Sequence, residues 1–124
     1  MDEKLRKQLE ENGADVDTTL KRFMGNEALY MKFLMKFSDD SNYGIIMENV
    51  KKCDYDAVFN GAHTLKGVSA NLGLSPVYNA SSQITELLRG RQETPVDVAK
   101  LDEYIVQLQE AYDCFRKILD DYKS

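Results

Sequence analysis

Histidine is nearly missing from this 124-residue chain, which has a single one at position 63. Cysteine is scarce as well: Cys53 and Cys114 stand far apart, without Cys-x-x-Cys spacing. One imidazole and two separated thiols do not make a structural zinc site, so no metal is expected and both cysteines read as free thiols. No apolar run approaches the ~20 residues needed to cross a bilayer, so no membrane span is expected. The first residues, "MDEKLRKQLEENG", mix acids and bases without an apolar stretch, which leads us to expect no secretory signal and a cytoplasmic setting. Excess positive charge is lacking too: the net charge of −5 speaks against a nucleic acid or an anionic membrane as partner. No alternating apolar–polar pattern announces a strand, and there are no repeats, low-complexity tracts or linkers.

What remains is a composition of 43% apolar and 30% charged residues with only two prolines, that of one globular, helical domain spanning residues 1–124. Helix punctuation divides it. Gly13 and Gly25 look like stops just past "DEKLRKQLEEN" and "TTLKRFM". Asn26 can cap a helix carrying Leu29, Tyr30, Phe33, Leu34 and Phe37, and "SDDS" at 38–41 marks a break before Tyr43, Ile46, Met47 and Val50 resume the period. Ser75 followed by Pro76 reads as N-cap and first helical residue, opening a helix with Val77, Ala80, Ser81, Ile84 and Leu88 on one side and Gly90 as its stop. Thr94-Pro95-Val96-Asp97 reads as a capping box. Beyond it Val98, Leu101, Ile105, Leu108, Tyr112, Phe115, Leu119 and Tyr122 form a seam about three heptads long. Such a seam suits a coiled-coil dimer, but the short connections and the other amphipathic helices favour an intramolecular arrangement. The expected fold is therefore all-α: a monomeric antiparallel four-helix bundle with additional short helices at the N-terminus.

One stretch resists this reading. "GAHTLKGVSANLG" at 61–73 holds three glycines in thirteen residues, and Asn60-Gly61 is a turn signal. Glycine inside a helix costs roughly 0.5–1 kcal/mol relative to alanine. Advancing 100° per residue resolves the conflict into one helix over about 54–72, from an Asp54 cap to a Gly73 stop. Val58, Gly61, Ala62, Leu65, Val68, Ser69 and Leu72 then fall in one arc opposite His63, with Gly61 where a neighbouring helix approaches. Around His63 lie Asp56, Phe59, Asn60, Lys66, Gly67, Ala70 and Asn71. Lys66 and Gly67, at i+3 and i+4, flank the imidazole. An exposed imidazole supplies a neutral nucleophile near pH 7. Lys66 offers a charge-assisted donor to an anion attached there, and Gly67 leaves open space for an incoming group. Phosphoryl carriage on a ring nitrogen needs these features. A surface histidine beside a helix defect would show them as well.

"AHTLKGVSANLG" resembles the signature of histidine-containing phosphotransfer (HPt) domains, an A-H-x-L-K-G core followed by small residues and L-G. The match covers Ala62, His63, Leu65, Lys66, Gly67, Ser69, Leu72 and Gly73, and the preceding "NEALYMKFLMKFSDD" is similar to the family's helix before the histidine helix. The resemblance implies a helical bundle whose His63 accepts a phosphoryl group from a receiver-domain aspartyl phosphate and passes it to another receiver aspartate. Lys66 would be the electrostatic partner of the phosphoryl group and Gly67 the access position, with Phe59, Asn60, Ala70 and Asn71 as docking face. It implies receivers of response regulators or hybrid sensor histidine kinases as partners, and a phosphocarrier rather than an enzyme. The chemistry would be driven largely by the receiver's own metal and aspartate. No Walker-type loop is present, and no cofactor is expected. Two other functions are open to a helical bundle of this kind. A di-metal four-helix protein needs Glu-x-x-His pairs on facing helices, which one histidine does not supply. An adaptor bundle that binds partners through the His63 face without phosphorylation remains compatible with the same residues.

Overall fold

A computed structural model describes all 124 residues. Seven helices account for the secondary structure: α1 (Glu3–Glu11), α2 (Val16–Arg22), α3 (Glu27–Phe37), α4 (Ser41–Lys51), α5 (Tyr55–Leu72), α6 (Ser75–Arg89) and α7 (Val98–Lys123). There is no strand, and no helix is long and apolar enough to cross a membrane. α5 packs most extensively on α6 and α4, and α6 packs on α7. Short connections make these successive neighbours antiparallel, so α4 to α7 form the bundle while α1, α2 and α3 close its flank. The expected all-α architecture is the one found.

Acidic and amide caps start most of the helices. The side chains of Asp2, Asp15, Asn26, Asp40, Asp54 and Asp97 each accept a backbone N–H from the first turn they open. The core is one continuous cluster drawing on every helix, from Leu5 and Leu9 of α1 to Phe115 and Leu119 of α7. In α7 the seam is buried from Leu101 to Leu119, with Ile118 added, while its ends Val98 and Tyr122 are exposed. Tyr112 fastens α7 to the break between α3 and α4. Its hydroxyl donates to the carbonyls of Phe37 (2.9 Å) and Ser38 (3.2 Å), and its ring stacks on Tyr43 with centroids 3.8 Å apart. Both cysteines are free.

Three expected boundaries move. α7 begins after Asp97 rather than at a Thr94 capping box, because the N–H groups of Glu93 and Thr94 are spent on the Gly90 carbonyl, closing a turn that ends α6. Ser75 is already helical, and the cap position belongs to Leu74, which offers no side-chain acceptor. Leu74 sits there because its side chain is fully buried in the core. α2 stops at Arg22, where Phe23 turns to pack against Tyr30 and Phe33. Met24 therefore takes the left-handed position (φ 56°) expected one residue further on, with Gly25 following at φ 75°.

Candidate functional site

α5 runs unbroken from Asp54 to Gly73, so the turn propensity of Asn60-Gly61 is overridden by packing. Gly61 is fully enclosed: a Cβ there would lie 2.9 Å from Ile46 Cγ1 and 3.4 Å from the Asn42 carbonyl oxygen. The glycine lets α4 and α5 approach closely, as the helical wheel requires. Val58, Ala62, Leu65, Ser69 and Leu72 are buried on the same side, and Val68 is half-buried. The Ser69 hydroxyl donates to the Leu65 carbonyl at 2.8 Å, which lets a polar residue sit in this interior.

The far end of α5 is locked from two directions. Gly73 takes φ 70° while its N–H and that of Leu74 return to the carbonyls of Ala70 and Ser69. A side chain there would collide with Asp15 and Thr19 of the α2 start, and the Asp15 N–H donates to the Gly73 carbonyl at 2.8 Å. Arg22 then reaches across from α2 and donates to the Ala70 carbonyl at 2.7 Å.

The outer side of α5 carries His63, exposed and enclosed by no neighbouring helix. Gly67 is exposed one turn on, and a Cβ added there would meet nothing within 4 Å. Lys66 is half-buried and enters no ion pair. The hydrogen bond from Arg89, then that guanidinium's charge and lastly the Lys66 charge hold the Glu86 carboxyl below the usual carboxylate range. Asn60 and Asn71 are exposed. Phe59 and Ala70 are half-buried, so the proposed docking residues split into an open polar pair and a partly covered apolar pair.

Phe59 is covered by residues that the sequence did not single out. Its ring lies parallel to the His63 imidazole within 5°, centroids 6.1 Å apart. The Arg91 guanidinium carbon sits 4.3 Å from the centre of the Phe59 ring, and that of Arg89 sits 5.8 Å away. Arg91 Nε donates to Asp56 Oδ1 at 2.6 Å and its Nη1 to the Leu88 carbonyl at 3.0 Å. Arg89 pairs with Glu86 at 3.0 Å. The one legible signal was the Arg-Gly-Arg run at 89–91, two cations bracketing a helix stop; which helix they lean on is a matter of tertiary packing.

Chemically, the site is an open nucleophile with a nearby cation and a clear approach, not a pocket. An apolar cleft of about 500 Å³ does exist between α2, α3 and α5, walled by Phe23, Phe33, Phe37, Val68 and Leu72, and His63 is not among its walls. No group of three or more His, Cys, Asp and Glu side chains is placed to hold a metal ion. The family model described as Hpt domain matches residues 3–117, which takes in all of α1 to α6 and most of α7. Neither the curated proteins nor the solved structures offer a match to this chain.

Proposed function

Since the chain belongs to the Hpt domain family, whose members are phosphocarrier modules of two-component signalling, we propose that His63 is the residue that carries the phosphoryl group. A neutral ring nitrogen attacks the phosphorus of a receiver's aspartyl phosphate. The N–P bond forms as the acyl O–P bond breaks, and the aspartate leaves as a carboxylate. The reverse exchange, at a second receiver's aspartate, regenerates the free imidazole. Lys66 is the donor that holds the dianion through a charge-assisted contact, and Gly67 is the opening through which the receiver's aspartate reaches the nitrogen. Phe59, Asn60, Ala70 and Asn71 make the surrounding contact face.

The observation that carries this reading is the pairing, on one exposed side of α5, of an uncovered imidazole with a glycine where a Cβ would meet nothing. The partners are receiver domains of response regulators or hybrid sensor histidine kinases, and the chain acts as a cytoplasmic monomer without a cofactor. His63→Gln tests the site, because the chain has no other histidine. Incubated with a phosphorylated receiver, the wild type should take up an acid-labile, alkali-stable label, as a phosphoramidate is, while the variant takes up none and keeps its melting temperature. Label retained by His63→Gln would take the carrier role away from His63, and an unlabelled wild type that still binds receivers would leave the adaptor reading in its place.

A further inference from the structure

Asp56, Phe59 and His63 follow one another at i, i+3 and i+7 along the outer side of α5, and Arg91 is laid across the first two. A surface ion pair is ordinarily mobile and worth little. This one differs on its basic side: the Arg91 side chain is only 16% exposed, while Asp56 is 70% exposed. The guanidinium is held at three points: the Asp56 carboxylate, the Leu88 carbonyl and the face of the Phe59 ring. A phenyl ring fixed in this way offers the imidazole a parallel surface 6.1 Å away, centre to centre.

From this stack we infer that Arg91 is a positioning residue for His63: it pins Phe59, and Phe59 in turn restricts the rotation of the imidazole that receives the phosphoryl group. The inference rests on the phosphocarrier reading for its kinetic consequence. An exposed histidine samples several rotamers, and only some aim a ring nitrogen at a docked aspartyl phosphate. Narrowing that choice before docking raises the fraction of productive encounters. Lys66, on the next turn, stays free of ion pairs and keeps its charge for the phosphoryl group. Arg91, committed to Asp56, acts through the ring rather than on the phosphate.

The bland role for Arg91 is a staple that ties the α6–α7 connection to α5, and the test separates the two. The reporters are the His63 Cε1–H and Cδ2–H signals in NMR, displaced by the ring current of Phe59, and the rate of label uptake from a phosphorylated receiver. Arg91→Ala should move the His63 signals toward those of a freely rotating histidine and slow uptake about three- to tenfold. Asp56→Asn, at an exposed position and leaving the Leu88 and Phe59 contacts of Arg91 in place, should shift both readouts the same way by less. In a Phe59→Leu background, Arg91→Ala should then change neither further, because the ring that transmits the effect is gone. Arg91→Ala and Asp56→Asn variants that keep wild-type His63 signals and uptake, or full additivity with Phe59→Leu, would overturn the proposal and leave a staple. A wild type that takes no label would sink the phosphocarrier reading instead, while the NMR comparison still decides whether Arg91 orders the imidazole.

Discussion

At Gly61 a Cβ would press to 2.9 Å from Ile46 Cγ1, whereas at Gly67, on the same helix, it would meet nothing within 4 Å. Both positions give up the same helix propensity, roughly 0.5–1 kcal/mol against alanine, and they do so on opposite sides of α5. On the inner side the missing side chain is filled by a neighbour: α4 moves into the space and the packing gained offsets the cost. On the outer side nothing fills it, so the fold recovers nothing for the loss. A helix defect that the fold does not use is a place to look for something outside the fold. A glycine's role in α5 is set by what stands where its side chain would be.

The largest effect is expected at Gly61. Gly61→Val drives two methyl groups into the buried Ile46 and the α4 backbone, and over-packing of that kind should cost about 2–3 kcal/mol, read as a lower urea midpoint. A variant as stable as the wild type would mean that α4 and α5 are not in close approach. The next effect comes from Tyr30, whose buried hydroxyl donates to the Leu72 carbonyl at 3.3 Å on the inner side of α5. Burial pushes this phenol up to about 12 from its ordinary value near 10. A raised value means that the folded state resists losing the proton. The corresponding stability is thus whole below about pH 10 and is lost as pH rises toward 12, on the order of 2 kcal/mol. Tyr112, also pushed up to about 12 by burial, contributes equally to wild type and Tyr30→Phe, so the difference between their urea midpoints from pH 9 to 12 isolates Tyr30. Parallel declines would show that the inner side of α5 is not sealed there. The smallest change in stability belongs to Gly67→Leu, which should raise it by roughly 0.5–1 kcal/mol through helix propensity alone. The same variant should lose phosphoryl exchange with receivers. A more stable variant that exchanges at the wild-type rate would make Gly67 a plain defect, and the contrast with Gly61 would lose its functional half.

Much of α5 was legible from residues alone. A 100° wheel placed Gly61 inward and His63 outward, and the structure has them so, because periodicity records which side of a helix is buried. Local punctuation fared less well. Thr94 and Asp97 are both good caps only three residues apart, and the choice between them is made by the turn that ends α6, where Glu93 and Thr94 donate to Gly90. Ser75 lost its cap to Leu74 for a similar reason: the need to bury a leucine outweighed one side-chain hydrogen bond. The surroundings of His63 were legible only along its own helix. Lys66 and Gly67 follow from i+3 and i+4 spacing, but Arg89, Arg91 and Glu86 arrive from α6 and the segment beyond it. No period in the sequence points from them to Phe59.

The ends of α5 have an electrostatic consequence for its middle. Aligned peptide groups leave a helix with partial positive charge at its first turn and partial negative charge at its last, felt over about one turn. Here the first turn faces the carboxylates of Asp54 and Asp56, and the last, which has no basic residue of its own, borrows the Arg22 guanidinium from α2 on the Ala70 carbonyl. Both poles are neutralised, and His63 lies more than a turn from either. A phosphoryl dianion carried at His63, as proposed, would therefore draw nothing from the macrodipole and suffer nothing from it. In the proposed relay its hold on the protein would reduce to the N–P bond and the Lys66 charge, with no helix pole to oppose its transfer to the next acceptor.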